Sequence, residues 1–202
     1  MSIINSIKRS PLLRGFGVLI TEYFGVSRRK FGYIAEDVVI TPPLSISNPQ
    51  NVYLYGNNGL NHATLLTTNA KFIMKKNSGA AYGLKVSTGN HAGIIGIPYR
   101  CISESNKPSG LDHDVIVEED VWIGMNVTLL SGVTLRRGTT VAAGAVVNRS
   151  TPPYSIVGGV PAKFIKFYWT IDQILEHEAK LYPENERYSR EQLEEIFAKY
   201  QK

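Results

Sequence analysis

Aliphatic residues recur at every sixth position in the second half of the chain. They are Val117, Ile123, Leu129, Leu135, Val141 and Val147. A helix would scatter this series around its axis and a long strand would need strict alternation, so the period predicts a bend in every repeat. The bend is predicted at the third position after each aliphatic residue, because most residues there tolerate a left-handed backbone conformation. These positions hold Asp120, Asn126, Gly132, Gly138, Gly144 and Ser150. One repeat is too small to bury its own apolar face, so the repeats are expected to stack into a solenoid.

The same spacing is present, less regularly, in the first half of the chain. It starts at Ile34 and runs cleanly to Val52. It then continues through Leu60, Leu66 and Phe72 with interruptions, which predicts distorted coils. Residues 89–114 abandon the period and are rich in glycine and proline, so they predict a long loop leaving the solenoid wall. Long loops inside compact domains are usually functional.

Both ends of the chain lie outside the repeat. Residues 1–33 contain an apolar segment, residues 12–20, that is too short to span a bilayer. The sequence favours a strand or helix that caps the open end of the solenoid over a helix lying on a membrane surface with Arg28, Arg29 and Lys30 beside the head groups. Peripheral membrane contact is therefore the weaker of the two hypotheses.

The C-terminal segment has the signals of two helices. Thr170 with Gln173 predicts a capping box before the first helix, and Ser189 with Gln192 predicts another before the second. We expect these helices to pack on the end of the solenoid or on a neighbouring subunit.

Composition narrows the classes of function. The chain has 202 residues, of which 43% are hydrophobic and 19% charged, as expected for one globular domain. Its net charge of +5 is spread along the chain, with no basic run interleaved with aromatic residues. A phosphate-bearing cofactor therefore explains the charge at least as well as nucleic acid, and no nucleic-acid partner is predicted. Cys101 is the only cysteine, which fits a reducing cytoplasm.

Three stretches resemble the hexapeptide-repeat acyltransferases, and within them the group of maltose, galactoside and xenobiotic acetyltransferases. They are VWIGMNVTLLSGVTL (residues 121–135), VAAGAVV (141–147) and GGVPAKFI (158–165). The resemblance implies an all-β solenoid, a left-handed parallel β-helix of triangular section, which works as a homotrimer on acetyl-CoA. We accordingly expect an N-terminal cap (1–33), a β-helix (34–166) with an extended inserted loop (89–114), and a C-terminal segment of α-helices (167–202).

Acetyl transfer requires a base that takes the acceptor's proton, and imidazole, with a pKa of about 6.5, suits that task near neutrality. His91 follows STGN at the start of the long loop, and the resemblance implies that it is the catalytic base. His113, at the far end of the same loop, is its main rival. His62 is interpreted as structural, and His177 as a polar-face residue of the terminal helix.

The resemblance also implies the acetyl-CoA site, a groove between adjacent subunits. By motif position the contacts fall on Trp122, Gly124, Met125, Ala143 and Asn148. The small residues would let a ligand approach the backbone, although plain packing between coils explains them equally well. Met125 and Asn148 stand where the family often has Ser or Thr. Lys163 and Lys166 follow a proline-fixed turn and are expected to meet the phosphates of CoA.

The acceptor is less determined by the sequence. A hydroxyl of a sugar or glycan is the preferred acceptor, with Asn90 and Tyr82 as candidate contacts. The alternatives are an N-acetyltransferase acting on an amine or antibiotic, and a catalytically inactive trimeric β-helix scaffold.

A zinc site is a further hypothesis, because His62, His91 and His113 are three potential ligands. Their sequence separations of 29 and 22 residues do not match a compact tetrahedral set, so no metal is expected.

Overall fold

The computed structural model describes residues 11–24 and 26–200, which form a parallel β-solenoid with helices at both ends. Three sheets build the wall. The first contains β1 (Tyr33–Ile34), β4 (Val52–Leu54), β7 (Phe72–Met74), β10 (Val115–Val117) and β13 (Thr134–Leu135). The second contains β2 (Val39–Thr41), β5 (Gly59–Asn61), β8 (Gly79–Tyr82), β11 (Trp122–Ile123), β14 (Thr140–Val141), β16 (Ser155–Gly158) and β17 (Lys163–Phe167). The third contains β3 (Ser45–Ile46), β6 (Thr64–Leu66), β9 (Lys85–Ser87), β12 (Thr128–Leu129) and β15 (Val146–Val147).

The chain passes from sheet to sheet at three corners, and the position of a residue relative to these corners decides what it can meet. The Asp120 corner joins the first and second sheets at residues 35–38, 55–58, 75–78, 118–121 and 136–139. The Gly124 corner joins the second and third sheets at residues 42–44, 62–63, 83–84, 124–127 and 142–145. The loop corner joins the third and first sheets at residues 47–51, 67–71, 88–114 and 130–133. Residues 148–151 follow β15 at the equivalent position of the last coil, and the chain then continues to β16 of the second sheet.

The predicted bends are the turns at these corners. Five of the six predicted bend positions have a positive φ: Asp120 (58°), Asn126 (54°), Gly132 (82°), Gly138 (70°) and Gly144 (72°). Only glycine, and next to it Asn and Asp, adopt this conformation at low steric cost. The composition of the turns is thus the local cause of the six-residue period.

The repeated aliphatic side chains fill the interior of the solenoid. All six residues of the series from Val117 to Val147 are at most 1% exposed and belong to one continuous core. Burying one such side chain stabilises the fold by about 1.5–3 kcal/mol. The predicted solenoid is confirmed, as are the helices that follow it.

The N-terminal coils are longer than the C-terminal ones. One coil takes 18 residues where Trp122 pairs with Thr140, but 20 where Val52 pairs with Phe72. The predicted six-residue spacing fails in the longer coils: Leu65 is fully buried, whereas Leu66, which the repeat places inside, is 51% exposed. A shift of one residue moves a strand's side chains to the opposite face, which explains the error.

Residues 1–10 of the predicted cap lie outside the described residues. The described part begins with helix α1 (Pro11–Phe24). Val26 and Phe31 pack against the end of the core, and the Arg28 guanidinium donates hydrogen bonds to carbonyl groups of the first coil. Among the described residues, no helix is long and apolar enough to cross a membrane.

At the other end, β17 runs antiparallel to β16, and the chain continues into α2 (Ile171–Leu181) and α3 (Arg190–Tyr200). Thr170 and Gln173 form the predicted capping box at α2. Ser189 and Gln192 exchange the same pair of hydrogen bonds before α3.

A buried polar cluster fastens α2 to the solenoid. The Glu178 carboxylate is 0% exposed and accepts hydrogen bonds from the Tyr154 hydroxyl (2.7 Å), the Tyr188 backbone N–H (2.7 Å) and Arg137 Nη1 (3.2 Å). Burial, reinforced by the bond to Glu178, raises the pKa of the Tyr154 hydroxyl far above its usual value. Because Arg137 belongs to the Asp120 corner, this cluster ties the helix directly to the wall.

Candidate active site

The long loop is closed at its base by one carboxylate. Asp112 accepts hydrogen bonds from the backbone N–H of Asn90 (2.8 Å), from Lys107 Nζ (2.7 Å) and from Asn69 Nδ2 (2.9 Å). Asn69 belongs to the preceding coil, whereas Asn90 and Asp112 lie on the two arms of the loop. Asp112 therefore joins both arms to the wall.

This anchor is ionic at ordinary pH. The hydrogen bond from Lys107, aided by those from Asn69 and Asn90, lowers the pKa of Asp112 to about 2. A group whose pKa is lower in the folded state stabilises that state above its unfolded pKa, about 3.9 for Asp, and loses this contribution as the pH falls toward the folded value. The base of the loop is accordingly held by a charged pair throughout the neutral range.

His91 projects from this base. The Asn90 side chain donates to the Leu111 carbonyl (2.8 Å), and Ala92 is 8% exposed, so the residues on both sides of His91 are held. The imidazole itself is exposed and lines a depression of about 360 Å³ with Tyr99, Arg100 and Ile102. An accessible ring on a fixed backbone is suited to proton transfer with a bound molecule.

The rival histidine lies where the loop rejoins the wall. The His113 backbone N–H donates to Ser131 Oγ (3.0 Å) and to the Thr88 carbonyl (3.1 Å). Its side chain is exposed and lies beside Gly132 on the next coil. His113 does not line the depression that contains His91.

The predicted cofactor residues lie mainly around the Gly124 corner. Turn residues with positive φ stack there on four consecutive coils: His62, Gly83, Asn126 and Gly144. Each donates its backbone N–H to a carbonyl of the coil before it, at 2.7–3.0 Å. His62 is thus one of the turn residues, and its ring packs against Tyr82 with centroids 4.4 Å apart.

Trp122 and Gly124 have different roles in the packing of the coils. The indole of Trp122 is 56% exposed on the second sheet and covers Gly79 of the preceding coil. A Cβ atom on Gly124 would lie 2.7 Å from the backbone nitrogen of Ala143 and 2.8 Å from the Val141 carbonyl oxygen. Gly124 is therefore required for packing between coils, whether or not a ligand approaches it.

Met125 and Ala143 are exposed at the Gly124 corner, on successive coils. Asn148 is also exposed but begins the loop corner, beyond β15. The predicted contacts thus extend across the third sheet instead of following one edge of the molecule.

The two lysines line different depressions. Lys166 lines an open depression beneath α2 and α3. Lys163 lines a cavity of about 350 Å³ that Arg149 and Tyr200 also line. Sequence reasoning missed Arg149, although it directly follows Asn148 and adds a second cation beside Lys163. Two cations at one cavity are a better arrangement for binding phosphate than either alone.

One copy of the chain does not bring the predicted site together. Asn90 and His91 lie at the loop corner, whereas Tyr82, Trp122 and Met125 lie at or beside the Gly124 corner. The third sheet separates the two groups. Sequence reasoning also missed Asp112 as the anchor of the loop; its place beside His113 was the only signal.

The three histidines of the zinc hypothesis are divided in the same way, with His62 at one corner and His91 and His113 at another. Within residues 11–24 and 26–200 no group of three His, Cys, Asp or Glu side chains is placed to hold a metal ion.

Part of the solenoid matches a known protein family. Residues 114–149 match the family model described as bacterial transferase hexapeptide (six repeats). This part of the chain is thus built with the hexapeptide repeat of bacterial transferases. The resemblance to the hexapeptide-repeat acyltransferases is confirmed by this match and by the acetyltransferases among the relatives of the chain.

A probable macrolide acetyltransferase of Lysinibacillus sphaericus is 36% identical over 104 residues, which cover 52% of this chain and 56% of that protein. The chain thus spans little more than half the length of this relative.

Two solved structures show the same fold. A maltose O-acetyltransferase from Clostridium difficile 630 superposes with a TM-score of 0.59 at 20% identity, covering 81% of this chain and 79% of that one. A hexapeptide-repeat acetyltransferase from Vibrio cholerae O1 biovar eltor, complexed with acetyl coenzyme A, superposes with a TM-score of 0.54 at 20% identity, covering 84% and 100%.

Proposed function

We propose that this protein transfers an acetyl group from acetyl-CoA to a hydroxyl group of a sugar or glycan, with His91 as the general base. The observation that carries the proposal is the exposed imidazole of His91 on a backbone fixed by Asp112 and Asn90. The matched maltose O-acetyltransferase and the structure complexed with acetyl-CoA support the choice of donor and acceptor.

The site is formed between copies of the chain. His91 and the exposed residues of the Gly124 corner lie on opposite sides of the third sheet, so the loop of one subunit has to meet the Gly124 corner of another. Tyr82, Trp122 and Met125 are 51%, 56% and 51% exposed, which is an apolar surface of the kind that subunit interfaces and ligands cover. Cyclic symmetry repeats this contact once per subunit, as in the homotrimer that the family resemblance implies.

The chemistry requires a single proton carrier. The neutral imidazole of His91 takes the proton of the acceptor hydroxyl as its oxygen attacks the thioester carbonyl carbon. The new C–O bond forms, the C–S bond breaks, and the resulting imidazolium returns the proton to the thiolate of CoA. Asn90, whose amide is bonded to Leu111, acts in this scheme as a positioning residue for His91.

Some of the residues assigned to the acetyl-CoA site are suited to binding a nucleotide thioester. Trp122 offers an exposed ring, Ala143 leaves the corner open, and Arg149 and Lys163 provide cations at one cavity. Gly124 contributes through coil packing. We assign Met125 and Asn148 to the same groove because they are exposed on the two sides of the third sheet, with Lys166 as a further cation near its end.

A second candidate acceptor is a macrolide hydroxyl, because the Lysinibacillus relative carries that name. Tyr99 and Arg100 beside His91 are able to meet either a sugar face or a larger ring system. The two acceptors call for the same donor and the same base, so a panel of acceptors distinguishes them.

The experiment is release of free thiol from acetyl-CoA by the purified full chain, measured with a panel of sugars, oligosaccharides and macrolides. We expect release that depends on the acceptor, and an acceptor product heavier by one acetyl group. If the protein binds CoA but releases no free thiol with any acceptor of the panel, the acceptor is to be sought among other hydroxyl compounds or among amines. If the protein neither binds CoA nor releases free thiol from acetyl-CoA, the proposal is contradicted and the inactive scaffold is favoured.

A further inference from the structure

Helix α1 presents an apolar stripe that the described structure leaves uncovered. Phe16, Leu19, Ile20 and Tyr23 are 64%, 51%, 44% and 55% exposed. Their spacing of three, four and seven residues places them on one face of the helix. Four large apolar side chains exposed on one face are unusual for a protein surface, and such patches generally mark an interaction site.

A basic turn follows the stripe. Arg28, Arg29 and Lys30 form an exposed 3₁₀ turn shortly after the end of α1. The Arg28 guanidinium donates hydrogen bonds to carbonyl groups of the first coil, including that of Val38 (3.3 Å). These hydrogen bonds fix the turn to the first coil of the solenoid. The side chains of Arg29 and Lys30 are exposed, and these residues follow the end of α1 by five and six positions.

The apolar stripe and the basic turn are not needed to cap the solenoid. The end of the core is covered by Val26 and Phe31, which pack against it. A cap would bury the stripe of α1, yet its four residues are about half exposed. The helix thus supplies a surface additional to the cap.

We propose that α1 and the basic turn dock this protein onto the surface of an anionic lipid bilayer. A 14-residue helix is about 21 Å long, shorter than the ~30 Å hydrocarbon core, so it lies in the plane of the interface. The stripe enters the boundary between head groups and acyl chains, and Arg29 and Lys30 contact anionic head groups. This inference is independent of the proposed catalytic function.

Charge favours a bilayer over a second copy of the chain as the occupant. Packing the stripes of several copies together would gather their basic turns in one place. Like charges in close proximity repel, whereas an anionic surface neutralises them. The chain as a whole carries a net charge of +5, which favours the same surface.

The test is flotation of the full chain with vesicles of phosphatidylcholine alone and of phosphatidylcholine mixed with phosphatidylglycerol. We expect binding to the mixed vesicles that weakens as salt is raised, and little binding to the neutral ones. Ile20→Glu should lower the partition coefficient at least about tenfold, because it puts a charge where an apolar side chain inserts. The double variant Arg29→Glu/Lys30→Glu should also lose binding, without changing the stripe.

Leu181→Glu is the matched control, since Leu181 is 56% exposed on α2, the first of the C-terminal helices; it should bind as the wild type does. The proposal is overturned if the wild type binds neither kind of vesicle, if it binds both equally, or if Ile20→Glu binds normally. It is also overturned if Ile20→Glu reduces the oligomer mass in light scattering, because the stripe would then be an interface between copies.

Discussion

Replacing His91 with alanine lowers the rate of acceptor-dependent thiol release by about two to four orders of magnitude, the effect expected when a general base is removed. The affinity for CoA should change little, because the proposed role of the ring is to carry a proton and not to bind the donor. The melting temperature should also be unchanged, since the imidazole is exposed on a loop whose base is held by Asp112. The measurement is kcat from thiol release, together with the dissociation constant of CoA.

His113→Ala is the matched control for this prediction. His113 is an exposed histidine of the same loop, but it lies where the loop rejoins the wall and outside the depression that contains His91. We expect its turnover to stay within a few fold of wild type. Full turnover in His91→Ala, with loss in His113→Ala, would transfer the role of base to His113.

The largest expected effect on stability comes from Glu178→Ala. The variant removes the carboxylate that accepts hydrogen bonds from three donor groups, and it leaves Arg137, which is 9% exposed, without its buried carboxylate partner. Breaking a buried ion pair by removing one partner costs about 3–5 kcal/mol. For a chain of this size, that corresponds to a fall of roughly 6–20 °C in melting temperature.

The position of Glu178 explains why the loss should be so large. Its carboxylate joins α2 to the Asp120 corner through Arg137 and to the last coil through Tyr154. Glu176→Ala is the matched control, because Glu176 is an exposed glutamate of the same helix that forms a surface ion pair with Lys180. Surface pairs contribute little to stability, so the control should melt close to wild type. A wild-type melting curve for Glu178→Ala, followed by circular dichroism, would contradict the role given to the cluster.

The regular part of the molecule could be predicted from sequence because its cause is local. Asp120, Asn126 and Gly132 are turn formers at fixed spacing, and each adopts the left-handed backbone that the spacing indicates. The capping box at Thr170 is also local, since all its bonds lie within four residues. A period of six residues and a capping signal do not require knowledge of what packs against them.

The candidate site could be predicted only in part, because it depends on contacts between coils. The anchor at Asp112 joins Asn69 and Asn90, which lie 43 and 22 residues away in sequence. The ion pair of Arg137 with Glu178 joins residues 41 apart. The corner that a residue reaches also depends on coil length, and two extra residues per coil put Leu66 outside the solenoid. A local sequence pattern cannot predict contacts between residues so far apart in the sequence.

The division of the predicted site between two corners is the central structural feature of the proposed enzyme. His91 is at the loop corner, and Ala143 is exposed at the Gly124 corner. If catalysis requires both, His91 of one subunit must serve the groove of another. Two inactive variants, His91→Ala and Ala143→Trp, the second of which obstructs the groove, should then complement each other in mixed oligomers.

The most direct measurement is thiol release by mixed oligomers of His91→Ala and Ala143→Trp chains, coexpressed with different tags and purified through both. In a cyclic trimer that contains both chains, one interface combines an intact His91 with an intact groove, so we predict about one-third of wild-type activity. Each variant alone should remain inactive. Mixed oligomers no more active than their parents would contradict a site shared between subunits.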